Sequence, residues 1–219
     1  MTPKKDLELY LHIPFCRQKC HYCDFLSAPL AADSSTADGY VPEAYVDALL
    51  SQIVQESQFY QERRVTTIFW GGGTPSLLRV MDMERLMDAI RAHFCVADDA
   101  EITLESNPGT LDFEKLAGYR RAGINRLSMG LQSACDKELA MLGRIHNFDT
   151  FVQNYKQARR AGFENIKDKI EAPDVYLKLK KEKLSDKLTV EELQKRLSEL
   201  QEFLKQPKCK ETFIMKSVV

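Results

Sequence analysis

Cys16, Cys20 and Cys23 lie in the stretch "HIPFCRQKCHYCDF", spaced C-x-x-x-C-x-x-C directly behind an apolar run. A thiolate is both a nucleophile and a metal ligand, so three of them this close point to one shared inorganic centre rather than to a disulfide framework. Two chemistries fit. Three thiolates with His12 or His21 would make a tetrahedral zinc site, although His21 adjoins Cys20 and is awkward for joint ligation. Three thiolates alone would hold a [4Fe–4S] cluster whose fourth iron is left for a ligand from outside the protein. The other cysteines, Cys95, Cys135 and Cys209, are scattered and read as structural.

The elements that must position those thiols are legible around them. "LELYLHIPF" (7–15) and "VTTIFW" (65–70) read as strands, too short and too continuously apolar for amphipathic helices. Between them a helix is expected, with Pro42 in its first turn and Tyr45, Leu49 and Ile53 along one face. Met83, Leu86, Met87, Ile90 and Phe94 mark a second helix. Strand "EITLES" (101–106), helix "LDFEKLAGYRRAG" (111–123), strand "INRLSMGL" (124–131) and helix "FDTFVQNYKQARRAG" (148–162) follow. This alternation predicts an α/β fold, a parallel sheet under covering helices. "RRAGIN" (120–125) and "RRAGFEN" (159–165) repeat one device: basic residues in the last helical turn, a glycine free to take the left-handed cap, then a strand. A fifth strand is expected from Phe163.

Composition changes near residue 167. Residues 1–166 hold 12 arginines, 6 lysines and all ten glycines, whereas 167–219 hold 1 arginine and 12 lysines. The expected division is a (β/α) domain over 1–166 and a charged helical tail over 167–219. In the tail Thr189 and Glu192 form a capping box, Leu193, Leu197, Leu200 and Leu204 a stripe, and Pro207 a stop. That helix is expected to pack on the domain or on its own copy in a homodimer. Overall, 31 basic residues balance 32 acidic ones, which argues against nucleic acid as a partner and leaves small molecules and proteins. With no run of about 18 apolar residues and no apolar leader core in residues 1–11, no membrane span is predicted and a cytoplasmic protein is expected.

In a parallel α/β fold the loops at the carboxyl ends of the strands share one face. Here they carry, in order, the cysteines, "GGGTPS" (71–76), "ESNPG" (105–109) and "GLQS" (130–133). These supply thiolates, a glycine run that lets a ligand approach the backbone, a carboxylate beside an amide, and a second amide. "GGGTPS" lacks the Gly-Lys-Ser/Thr ending of a nucleotide-phosphate loop. Together "LYLHIPFCRQKCHYCDF", "IFWGGGTPSLL", "LESNPGTL", "GINRLSMGLQS" and "LGRIHN" resemble the radical S-adenosylmethionine (SAM) superfamily. Within it the motifs are most similar to the oxygen-independent coproporphyrinogen III oxidase-like family, in its HemW-type heme chaperone branch. The resemblance runs from residue 7 to about 166. The branch turns on Phe25, where the oxidases proper carry a further cysteine.

The resemblance implies an incomplete (β/α) parallel barrel of radical SAM type, with about four to five βα units, over residues 1–166. It implies that Cys16, Cys20 and Cys23 hold a [4Fe–4S] cluster, with SAM chelating the open iron through its amino and carboxylate groups. Tyr10, Tyr22, Gly72, Gly73, Thr74, Glu105, Gln132 and Arg144 are the implied SAM contacts. One electron from the cluster would cleave SAM to a 5′-deoxyadenosyl radical. Porphyrin or heme is the implied small-molecule ligand, and a heme-acceptor protein the implied partner. In the family, strand five continues with an aspartate that contacts SAM and then a Gly-Pro turn; here Ile166 is followed by "KDKIEAPD", which does not match that pattern, and the chaperones' heme-binding His-Asn motif does not follow either. A weakened SAM site is therefore expected. An alternative class stays open, a non-catalytic remnant or fusion that binds a cluster, or zinc, without turning SAM over. Taken alone, Arg144 would be a surface ion pair, His12 a satisfied core histidine, and His146 with Asn147 the turn before a helix.

Overall fold

A computed structural model of the chain describes residues 5–30 and 38–167, and the backbone of 212–215. Strand β1 (Lys5–Ile13) buries Leu7, Leu9, Leu11 and Ile13, the alternate positions of one face. Pro14 ends it, because proline has no N–H for the ladder. The chain then turns into β2 (Phe15–Cys16), which pairs with β3 (Ala28–Pro29), so the single strand expected over 7–15 is two. Bonds from Ala28 N–H to Pro14 O and from Leu30 N–H to Cys16 O, both 2.8 Å, close the cysteine loop at its base.

Helix α1 (Glu43–Ser57) has Pro42 at its N-cap and buries Tyr45, Leu49 and Ile53 as expected. Strand β4 (Arg63–Gly72) leads through a short 3-10 turn, Pro75–Leu77, into α2 (Val80–His93). Strand β5 (Cys95–Ser106) begins at Cys95 rather than Glu101, with a register shift opposite Val65 and Thr67. Helix α3 (Phe113–Ala122) is capped by Asp112, whose carboxylate accepts from Lys115 N–H at 2.8 Å, and ends on Gly123 at φ 105°. Strand β6 (Arg126–Met129) is shorter than the expected 124–131, and a small helix α4 (Asp136–Met141), not foreseen, follows it. Helix α5 (Phe148–Arg160) is capped by Asn147, and β7 (Asn165–Lys167) is the fifth strand, beginning at Asn165 rather than Phe163. The segment β8 (Thr212–Met215) lies along the free edge of β1.

Every strand pair is parallel, in the order β7-β6-β5-β4-β1-β8. Register alignment explains the division of labour between the faces. Leu11, Trp70, Leu104, Leu127 and Ile166 form one row across five strands, and Leu9, Ile68 and Ile102 another, nearly all buried toward the helices. The adjacent row, Tyr10, Phe69, Thr103 and Arg126, points to the opposite face, and Glu105 and Ser128 stand one step nearer the carboxyl ends. An apolar face thus builds the core while a polar-aromatic face is presented to the strand-end loops.

One expectation is corrected and another falls outside the described residues. Cys95 and Cys135 are exposed free thiols, on a strand start and a helix cap, so neither packs a core. The tail helix around Leu193–Leu204, and with it the homodimer, falls outside the described residues. Among the described residues no helix is long and apolar enough to cross a membrane.

Candidate functional site

The cysteine loop is braced twice. Within it, Cys23 N–H donates to Cys20 O at 3.2 Å, and Lys19 Nζ reaches Phe25 O at 2.7 Å and Ser27 O at 3.1 Å. Against the segment after α4, His21 N–H donates to Leu142 O and Gln18 Nε2 to Gly143 O, each at 3.2 Å. Gly143, at φ 73°, leaves room for the His21 ring, which a Cβ would meet at 3.1 Å. Cys16 is buried at 8% exposure; Cys20 and Cys23 are half-buried, and all three are free.

Both histidines considered as fourth zinc ligands have other work. His12 Nε2 lies 2.7 Å from Leu26 O, so it carries the proton, and Nδ1 accepts from Tyr10 OH at 3.3 Å. His12 is therefore the satisfied core histidine expected. His21 Nδ1 bonds Met141 O at 3.1 Å. Among the described residues no three His, Cys, Asp or Glu side chains close on one metal-ion position. Zinc gathers its donors at one ion, whereas a four-iron cluster takes one thiolate per iron and spreads them apart.

Donors converge on the sulfurs. Thr74 Oγ1 lies 3.5 Å from Cys16 Sγ, and Arg144 NH1 lies 3.4 Å from Cys20 Sγ. Arg144 NH2 donates to Asn107 Oδ1 at 2.7 Å and Gly130 O at 2.6 Å, and Asn107 Nδ2 donates to Thr74 Oγ1 at 2.8 Å. Arg144 is thus not the surface ion pair its residue type alone suggested. A Cβ on Gly130 would sit 2.9 Å from Asn107 Oδ1, so this glycine admits the arginine and the amide. Cys20, Thr74, Asn107, Arg144 and His146 line one small cleft of about 20 Å³. Two of its buried nitrogens, Arg144 Nε and His146 Nδ1, have no partner among the described residues. Such orphaned polar atoms are what a bound ligand would satisfy. His146 Nε2 donates to Leu131 O at 3.2 Å, and burial, then the Arg144 charge, press its pKa down to about 4, so the ring is neutral with Nδ1 a free acceptor.

The glycine run is closed on its Cβ side by protein atoms. A Cβ at Gly71 would strike the Tyr10 ring at 2.8 Å, one at Gly72 the His12 ring at 2.7 Å, and one at Gly73 Phe15 O at 2.6 Å and Cys16 Sγ at 3.0 Å. These glycines let β1 and the first cysteine close over the end of β4. Tyr10 stacks on Phe69 with centroids 5.9 Å apart, and burial, with the nearby Glu105 carboxylate, raises its pKa to about 12. Tyr22, at the mouth of the loop, is also raised to about 12, by burial first and then by Cys20 and Cys23, with Arg144 opposing. Gln132 holds φ 72°, the sole non-glycine with positive φ among the described residues, a cost of about 1–3 kcal/mol that only a fixed surrounding maintains. The fold therefore gathers Cys16, Cys20, Thr74 and Arg144 around Asn107, and sets Tyr10 beside Glu105. Two residues of this site escaped the sequence-level assignment: Asn107, noted only as an amide after a carboxylate, and His146, read as a helix-start turn.

The residue pattern of the Radical SAM superfamily matches residues 10–172. The heme chaperone HemW of Escherichia coli (strain K12) is 48% identical over 147 residues, which are 67% of this chain and 37% of that protein. HemW of Synechocystis sp. is 43% identical over 156 residues, 71% of this chain and 37% of that one. Among solved structures, coproporphyrinogen III oxidase (HemN) from Escherichia coli, a radical SAM enzyme, matches with a TM-score of 0.66 at 31% identity, over 74% of this chain and 36% of that chain. The chain thus spans a little over a third of the length of these relatives. Thiol spacing, strand-end loops and parallel register all fall within the matched stretch, and on that agreement the chain belongs to the Radical SAM superfamily.

Proposed function

We propose that this chain carries the cluster and SAM-binding portion of a radical SAM protein of porphyrin or heme metabolism. Cys16, Cys20 and Cys23 are the cluster ligands in this reading. The observation that carries it is the delivery of one donor to each of two loop sulfurs, Thr74 to Cys16 and Arg144 to Cys20, because donors aimed at sulfur stabilise a metal-bound thiolate. When bound, the cluster and SAM together supply the radical chemistry that side chains cannot. The protein's part is to hold them. Arg144 keeps its Nε–H for an anionic ligand group, and Glu105 offers a carboxylate to ligand hydroxyls. Gly72, Gly73 and Thr74 present backbone, and Tyr10, Tyr22 and Gln132 wall the face. Porphyrin or heme as ligand, and a heme-acceptor protein as partner, are proposed on the likeness to proteins named heme chaperones. The division at residue 167 rests on composition, and a cytoplasmic setting on the need to keep three thiols reduced.

Anaerobic reconstitution of the purified chain tests the reading. About four irons per chain, absorbance near ~400 nm and a paramagnetic signal on reduction are expected, with 5′-deoxyadenosine released when SAM is added. One zinc per chain and no iron uptake would overturn it.

A further inference from the structure

We infer that Asn107 is a positioning residue that links two cluster thiolates through one hydrogen-bond relay, Cys16–Thr74–Asn107–Arg144–Cys20. The inference rests on the cluster reading above and goes beyond its ligands and SAM contacts. The relay's direction follows from donor and acceptor chemistry. A guanidinium can only donate, so the Asn107 atom 2.7 Å from Arg144 NH2 is the carbonyl oxygen. The amide's NH₂ then faces Thr74 Oγ1 at 2.8 Å and donates to it. With its oxygen receiving that bond, the Thr74 hydroxyl is free to turn its own hydrogen to Cys16 Sγ, 3.5 Å away. At the other end Arg144 NH1 points a hydrogen at Cys20 Sγ, 3.4 Å away. One side chain thus orients donors toward two sulfurs whose residues lie on a different loop from its own.

The amide is also pinned. Thr110, whose hydroxyl donates to Asn107 O at 2.6 Å, holds its backbone, and the side-chain oxygen is held by Arg144 in the room that the missing Cβ of Gly130 leaves. An aspartate here would keep the Arg144 contact but could no longer donate, and would draw the Thr74 hydrogen to itself. Leucine would remove both links. The two substitutions therefore separate the arms of the relay.

The test is the cluster's reduction potential in the reconstituted 219-residue chain, since hydrogen bonds to cluster sulfur raise it. Asn107→Asp and Thr74→Val are expected to lower the potential to a similar extent, their double variant no further, Asn107→Leu more than either, and Thr74→Ser to restore the wild-type value, all with iron content unchanged. Potentials equal to wild type in Asn107→Asp and Thr74→Val, at full iron content, would overturn the relay and leave the cluster reading standing. Chemical unfolding of the chain as purified supplies a readout that needs no cluster. Thr74 and Arg144 do not bond each other, yet Thr74→Val and Arg144→Gln should be non-additive by at least about twofold in the unfolding constant while Asn107 is present, and additive in Asn107→Leu. Additivity in both backgrounds would overturn the inference. A wild-type chain that takes up no iron would overturn the cluster reading, and the unfolding cycle would then decide the relay.

Discussion

The segment Thr74–Ser76 stands between two polar networks of opposite character. On its outer side Ser76 Oγ meets Thr110 Oγ1 at 2.6 Å, Lys115 Nζ donates to Ser76 O at 2.6 Å and Thr110 O at 3.3 Å, and Tyr119 OH donates to Leu78 O at 2.6 Å. Every donor there ends on a protein oxygen. On the inner side Thr74, Asn107 and Arg144 run out onto two sulfurs, and two nitrogens at the same cleft are left over. A closed network fixes a fold; one with spare capacity and reactive ends is equipped to receive something. Ser76, Thr110, Lys115 and Tyr119 are all buried, whereas Asn107, Arg144 and Cys20 are half-buried, so the inner network also lies nearer the surface. The two differ further in where the last hydrogen bond goes.

The largest expected break in this contrast is all-or-none. Cys16→Ala, Cys20→Ala or Cys23→Ala should each abolish iron uptake, because a three-thiolate site has no spare ligand, while Cys95→Ala, on the exposed start of β5, should leave it intact; iron analysis after reconstitution checks both. Next is the ligand side. Ile166 is followed by Lys167, Asp168 and Lys169 with no Gly-Pro turn, so the wall that the resemblance implies is not reproduced; SAM should bind this chain about 10- to 100-fold more weakly than it binds coproporphyrinogen III oxidase (HemN) from Escherichia coli, measured by calorimetry on both proteins, and coproporphyrinogen III should not be turned over. SAM affinity equal to that relative's would show the wall to be rebuilt by other residues.

Smaller effects separate the networks by stability. Gly73→Ala, whose Cβ would press on Phe15 O and Cys16 Sγ, should cost about 1–3 kcal/mol and also lower iron occupancy. Tyr119→Phe, in the outer network, should cost a similar amount, about 1–3 kcal/mol by leaving the Leu78 carbonyl short of its donor, with iron occupancy unchanged. Paired denaturation and iron assays distinguish them.

The finest test is by pH. His146 has its pKa lowered to about 4 in the fold against about 6.5 when unfolded, so between these values the unfolded chain binds the extra proton. Stability should therefore fall as pH drops from 6.5 toward 4 and level off below, by up to about 3 kcal/mol from this residue. His146→Gln keeps a donor for Leu131 O and should remove that slope in a difference of unfolding curves. An unchanged slope would place the titration elsewhere.

Local chemistry determined much of this molecule in advance. The faces of α1 and α2, the caps at Asp112 and Asn147, the left-handed glycines at 123 and 162, and the thiol spacing each depend on residues within a few positions of one another, where periodicity and backbone sterics act directly. Pro14's break in the first strand belongs to the same class, although the apolar run across it concealed the turn into β2. The early start of β5 at Cys95 does not, since its extra residues are held by a register shift against β4 rather than by an alternating pattern of their own.

The site divides along the same line. Cysteines, glycines and strand-end polar residues were readable because each motif is contiguous. That Gly71, Gly72 and Gly73 are filled from beneath by Tyr10, His12 and Cys16, and that Asn107 joins Thr74 to Arg144, was not. Those partners lie 33 and 37 residues from Asn107, and their meeting depends on parallel register and on how closely each loop folds over the next. The sequence by itself determined which groups reach the carboxyl ends of the strands, because alternation and turn chemistry are local. Only the tertiary structure decided which of those groups touch, because a hydrogen bond is settled at tenths of an ångström by packing that no single segment encodes.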